Sequence, residues 1–258
     1  MTATGLSIIS LAQNPAGAAL KPSVNPGGIV SLADFTPPLA TGGLLTIFGK
    51  NLGTTATATP PLPTLLGGMC VTLNNTPIPL ELTSAGQINA QVPVTLAPGK
   101  YPLVLRSIAN QAESVSTTVT IAKYAPAVLM SGTQASIVHA DGTYVNNDSP
   151  AVRDEKLFIY ATGLGVTHGA TVTTGTAVPA SPAAVTDTVA VYFGNPLLKQ
   201  SQMIVDSSIL MPGFVGVDQI QITVPGFRTR GSNLQVTLKI GGVSSSVTGP
   251  DVPLVSVN

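Results

Sequence analysis

The chain carries one sequence plan twice, over residues 44–106 and again over residues 156–240. Each copy opens on an apolar run that enters a Gly turn, LLTIFGKNLG at 44–53 and KLFIYATGLG at 156–165, so Ile47 matches Ile159 and Leu52 matches Leu164. A Pro/Thr-rich loop follows in both. Each copy then has a β-prone stretch ending in Asn, VTLNN at 71–75 and VYFGN at 191–195, and later GQINAQVP at 86–93 against DQIQITVP at 218–225. Self-similarity in a fixed order marks a duplicated structural unit. No set of residues able to do chemistry recurs with it, so the duplication speaks for architecture before catalysis.

The runs between Gly, Pro and Asn are short and rich in Val, Ile, Thr and Leu, which predicts an almost entirely β chain. Alternation puts Val115, Thr117, Val119 and Ile121 on one face of one strand and Leu234, Val236, Leu238 and Ile240 on one face of another. Many short strands with frequent turns predict immunoglobulin-like sandwiches, here without a disulfide and without Trp. The expected fold is therefore all-β, two tandem immunoglobulin-like β-sandwiches with an N-terminal extension. The expected division is an extension over 1–25, a first domain over 26–124 and a second over 125–258, with the joint near residues 124–126. Each unit is of ordinary domain size.

Of the 258 residues 9% are charged and the net charge is zero, which leaves no electrostatic footprint for nucleic acid or an anionic membrane. Low charge also puts little electrostatic resistance in the way of self-association. Cys70 is the one cysteine, so no intrachain disulfide or Cys-based metal cage can form. Its place in the alternating run 69–73 predicts a small buried hydrophobe rather than a nucleophile. The opening MTATGLSIISLAQN has no basic n-region, and its apolar run is too short to span a bilayer. Neither a signal peptide nor a membrane anchor is expected in this chain.

Several blocks taken together, GGIVSLADF at 27–35, LLTIFGKNLG, PLPTLLGGMCVTLNNTPIPL, SAGQINAQVP, LAPGKYPLVL, ADGTYVNNDSPA, LFIYATGLG, PGFVGVDQIQITVP and LKIGGVSSS, resemble the repeated C-terminal region of large secreted acidobacterial proteins. That region is similar to tandem IPT/TIG-type immunoglobulin-like domains, and the resemblance covers residues 26–247. It implies an extracellular or cell-surface, non-catalytic module. Met69-Cys70 and the polar LLKQSQMIVDSS segment depart from the pattern, and residues 1–25 lie outside it.

Within that extension Leu6, Ile8, Ile9 and Leu11 form a short β-prone stretch ahead of an Asn-Pro-Ala-Gly-Ala-Ala tether. Two placements are open. The stretch can add a strand to its own first domain, or it can add one to a neighbouring copy, since an open sandwich edge accepts an extended segment through main-chain hydrogen bonds. Head-to-tail addition of the second kind would build a filament.

Catalytic patterns are missing. The two histidines, His139 and His168, have no HExxH spacing, and the chain has no Gly-x-Ser-x-Gly elbow, phosphate loop or dinucleotide fingerprint. His168 reads as a solvated loop residue, His139 as a turn cap beside Asp141, and Asp154 with Glu155 as the polar approach to the strand at Leu157. No catalytic residue and no cofactor is expected. Asp141, Asn146, Asn147 and Asp148 offer hard oxygen ligands of the kind Ca²⁺ takes, but Asp-Gly and Asn-Asn are also ordinary turn residues bonding to their own backbone. The turn is the expected reading. An alternative function is binding of extracellular polysaccharide, for which Tyr101, Tyr144, Phe214 and Phe227 are the better surface aromatics; Phe214 and Phe227 sit at Pro-Gly turns able to display a ring, and Tyr144 and Phe214 are the first candidates for ligand contact.

Overall fold

The computed structural model describes residues 20–181, 183–226, 228–245 and 252–258. Leu6, Ile8, Ile9, Leu11 and Phe227 lie outside them. The described residues are almost wholly β. The first half of the chain supplies β1 (Ser23–Ser31), β2 (Leu39–Ala40), β3 (Leu44–Lys50), β4 (Ala56–Thr57), β5 (Met69–Leu73), β6 (Thr76–Pro77), β7 (Leu80–Thr83), β8 (Gln87–Gln91), β9 (Gly99–Ser107), β10 (Ala112–Glu113) and β11 (Thr117–Ala122). The second half supplies β12 (Ala127–Val128), β13 (Met130–Ser131), β14 (Gln134–Ala135), β15 (Ile137–His139), β16 (Lys156–Thr162), β17 (Val189–Phe193), β18 (Ile204–Leu210), β19 (Asp218–Thr223), β20 (Gly231–Ile240), β21 (Val243–Ser244) and β22 (Leu254–Val257).

In the first unit a sheet in the order β1-β3-β8-β7-β4 faces one in the order β2-β11-β9-β5-β6, with β10 folded back on β9. In the second, β12-β16-β19-β18, with β15 also on β16, faces β17-β20-β21, with β22 also on β20. Two large apolar cores result, one running from Ile29 to Ile121 and the other from Tyr124 to Val257, with a small third cluster of Val178, Ala184 and Leu210. The repeated residues sit at equivalent places in them. Ile47 pairs with Ile88 across β3 and β8, and Ile159 pairs with Ile220 across β16 and β19. Val71 pairs with Leu105, and Val191 with Leu238. All eight side chains, and Leu52 and Leu164 in the Gly turns, have 0% exposure. Complete burial of a side chain of this size stabilises the fold by about 1.5–3 kcal/mol.

Two sequence expectations need correction. Val115 is 88% exposed and precedes β11 rather than lining the core with Val119 and Ile121. Ser114 is the cause: its N–H donates to Leu105 O at 2.9 Å while its hydroxyl accepts the Leu105 N–H at 3.0 Å. The hydroxyl takes a place that a ladder carbonyl would fill, so the chain steps out of register before Thr117. Cys70 is half-buried rather than buried, because β5 turns Met69, Val71 and Leu73 inward and leaves Cys70 on the opposite face, across from Arg106. Burial still raises the thiol pKa against the lowering effect of Arg106, so the group is a poor nucleophile.

Candidate functional site

The first unit has an open seam. β1 pairs with β3 and stands at the edge of its sheet; β11, on the facing sheet, pairs with β2 at Ile121 and Ala122 alone on its outer side. Between them runs a groove of about 580 Å³, lined by Val24, Ile29, Leu39 and residues 117–120. The direction of the β11 backbone follows from its partner. Thr118 lies opposite Pro102, whose carbonyl accepts the Asn74 N–H on the far side of β9. Pro102 and Thr118 are thus a non-hydrogen-bonded pair, and the Thr118 N–H and C=O point away from β9, as do those of Thr120 two residues on. Ala122, in the same phase, accepts the Thr41 N–H on that outer side at 3.4 Å. The Thr120 carbonyl is taken up by the parallel pairing of Ile121 with Leu39, so among the described residues the free stretch of strand edge above the groove is the Thr118 N–H and C=O with the Thr120 N–H.

Asp141 and Asn146 of the 141–148 loop spend side-chain oxygens on the loop itself. Asp141 Oδ1 accepts the Thr143 N–H at 2.9 Å and its hydroxyl at 2.7 Å, and these bonds hold the Asp141 carboxyl below its ordinary pKa. Asn146 Oδ1 accepts the N–H groups of Asp148 and Ser149 at 2.8 and 2.9 Å, and Asn147 Oδ1 accepts the Ser256 hydroxyl. The bonds of Asp141 and Asn146 are turn bonds, and that of Asn147 ties the loop to β22. Among the described residues no three His, Cys, Asp or Glu side chains are grouped to hold a metal ion.

His139 is more than a turn cap. Its Nδ1 lies 2.5 Å from Glu155 Oε1, Glu155 Oε2 accepts the Val152 N–H at 2.9 Å, and Nε2 lies 3.2 Å from both the hydroxyl and the carbonyl oxygen of Ser149. Burial lowers the imidazole pKa, but Glu155 and the Ser149 carbonyl outweigh it and the net shift is upward. The order Ser, His, Glu is one that acyl-transfer sites use. Here, however, the nearby N–H groups of residues 148 and 149 are spent on Asn146, so they cannot stabilise an oxyanion. The cluster fastens the 140–155 loop at the start of β16. His168 likewise has a partner: its Nε2 is 3.1 Å from Asp187 Oδ1, and Asp187 Oδ2 receives the Tyr124 hydroxyl and lies 3.6 Å from Lys123 Nζ.

Tyr144 and Phe214 are each 49% exposed. They stand at opposite ends of the second unit, because Tyr144 bridges to Val138 near the start of β16 while Phe214 lies in the turn before Asp218, which pairs with Ala161 at its end. They do not form one stacking platform. Tyr101 spends its hydroxyl on Ala97 O at 2.9 Å.

Sequence reasoning missed Asp218. It opens β19 with 2% exposure, its Oδ2 accepts the Leu164 N–H at 3.1 Å, and it sits on the wall of a cavity between the two units. Its counterpart in the first copy is Gly86, so the one available signal was this break in the repeat.

No protein-family model and no curated protein matches the chain. Among solved structures, similarity extends to the Bacteroides ovatus mixed-linkage glucan utilization locus protein SGBP-B in complex with a mixed-linkage heptasaccharide, at 14% identity and a TM-score of 0.37, covering 95% of this chain and 48% of that one. It extends also to the plexin A4 extracellular region, at 12% identity and TM-score 0.30 over 97% of this chain and 17% of that one. The surface layer protein SbsC, domains 4–9, is similar at 14% identity and TM-score 0.26, over 92% of this chain and 31% of that one. The chain thus spans less than half the length of each. At these scores the overlaps carry no argument about ligand or assembly, and the fold rests on the strand pairing described above.

Proposed function

We propose that the chain is a non-catalytic extracellular module of two IPT/TIG-type immunoglobulin-like domains that self-associates by strand addition. In this reading the β-prone stretch holding Leu6, Ile8, Ile9 and Leu11 of one copy pairs with the outer edge of β11 in another. The supporting observation is the free edge at Thr118 and the Thr120 N–H beside a partly apolar groove, in a chain whose neutrality permits close association. An extended donor would gain main-chain hydrogen bonds from the edge and bury alternate aliphatic side chains in the groove. A tether of six residues reaches about 20 Å when extended, enough to cross between copies.

The test is binding of a labelled peptide of residues 1–13 to the chain lacking those residues, followed by fluorescence anisotropy. Saturable binding is expected. A Thr118→Pro variant should lose it, because proline deletes an outward N–H while leaving the β9 ladder intact. Binding undiminished by Thr118→Pro, or none in either protein, contradicts the proposed acceptor. A second reading, polysaccharide binding, is supported by the half-exposed rings of Tyr144 and Phe214; retention on a glycan array that is lost in Tyr144→Ala or Phe214→Ala would favour it.

A further inference from the structure

The cavity at the joint between the units has a volume of about 160 Å³, and both units contribute to its walls. Among the described residues Asp218 is the one ionisable group on its lining, with a buried carboxyl that accepts the Leu164 N–H. Burial pushes this carboxyl up to about 7, opposed only by that N–H. No Lys, Arg or His lines the cavity. An ionised carboxylate here has no counter-charge from the described protein, yet open space stands beside it.

The remaining walls narrow the chemistry. Thr41, Thr95 and Thr167 bring hydroxyls, while Val94, Val172 and Leu210 bring aliphatic surface. Thr41 gives its hydroxyl proton to Leu96 O at 2.7 Å, so its own oxygen is left as an acceptor. Hard metal ions ask for six or more oxygen ligands with concentrated charge, and one carboxylate with scattered hydroxyls supplies too few. A primary ammonium needs three acceptors and carries an apolar stem that wants aliphatic contact. The volume matches: an engineered apolar cavity of about 150 Å³ takes benzene, a ligand of six heavy atoms.

We propose that the cavity between the two units is a binding site for a primary alkylammonium the size of a lysine side chain, its head paired with Asp218 and its stem against Val94, Val172 and Leu210. This site is independent of the strand-addition reading and stands if that reading fails. The ligand source is a free amine or a lysine of another chain, and the recognised chemistry is the same.

The experiment titrates n-butylammonium chloride into the full chain at about pH 8, where Asp218 is ionised and the amine is still charged, and follows amide NMR shifts. Saturable shifts at Gly163, Leu164 and Gly165 are expected in the millimolar range. n-Butanol, the neutral analogue, should leave those amides in place. Affinity should fall about tenfold per pH unit below 7, as the carboxyl takes up its proton. Asp218→Asn keeps an oxygen for the Leu164 N–H and should lose at least tenfold in affinity. Should that variant fail to fold, the pH series on the unmodified chain decides alone. No saturable shift, equal shifts with butanol, or pH-independent binding overturns the proposal, and shifts that a free amine gives but lysine methyl ester cannot reproduce identify the site as closed to lysine side chains and overturn the size match.

Discussion

Asp218 makes the stability of the fold depend on pH in a direction opposite to that of most carboxylates. Its pKa is raised from 3.8 to about 7 by burial, so the unfolded chain gives up this proton near pH 4 while the folded chain keeps it until about pH 7. Stability from this residue is complete below pH 4, declines between pH 4 and 7, and is flat above. At 1.36 kcal/mol per pH unit the full decline is on the order of 4 kcal/mol. Thermal unfolding against pH should show that decline in the native chain and lose it in Asp218→Asn, which is expected to be the more stable protein at pH 8. Superimposable profiles for the two proteins would contradict the burial argument. His139 adds to the same trend: its raised pKa comes from Glu155 and the Ser149 carbonyl, so its contribution is present at acid pH and fades as pH rises through the folded value.

At the level of elements, the two sandwiches share a fastening that the repeat does not display. Leu105 N–H donates to the Ser114 hydroxyl at 3.0 Å, and Leu238 N–H donates to the Ser245 hydroxyl at 3.0 Å; each Ser returns its own N–H to the same leucine's carbonyl, at 2.9 and 2.8 Å. Both serines are buried. Ser114→Ala or Ser245→Ala leaves a buried leucine N–H without an acceptor, and each should cost about 1–3 kcal/mol in denaturant unfolding. A change within error for both would remove the fastening from the account. Sequence comparison found the paired isoleucines and the Leu of each Gly turn because they recur at matched positions in apolar runs. It did not find the serines, which follow their leucines by 9 residues in one copy and 7 in the other. The same irregularity misplaced Val115. The free edge of β11 was equally hidden, since it depends on which way Pro102 turns its carbonyl.

Across the whole molecule, the two units meet through glycines and hydrogen bonds that join distant parts of the chain. Leu44 N–H donates to the Thr162 hydroxyl at 3.0 Å, across 118 residues, and Gly175 N–H donates to Gln91 Oε1 at 2.6 Å, across 84. Contacts at such separations leave no local trace in a sequence, which is why Asp218 and the cavity beside it were not foreseen. At Gly163 the backbone has φ +85°, and a Cβ there would lie 2.0 Å from Ala125 O. Gly163→Ala therefore pushes the segment at Ala125 off the end of β16 as well as straining the turn, by about 1–2 kcal/mol for the backbone alone. Faster proteolysis at residues 122–126 is its expected signature, and unchanged cleavage would mean that the joint does not depend on this approach.

The proposed joining of copies through residues 1–13 is checked by negative-stain electron microscopy with light scattering on the untagged chain, with and without those residues. Polymers in the full chain and folded monomers after the deletion are expected. A strict monomer in both proteins, or polymers that survive the deletion, would contradict it.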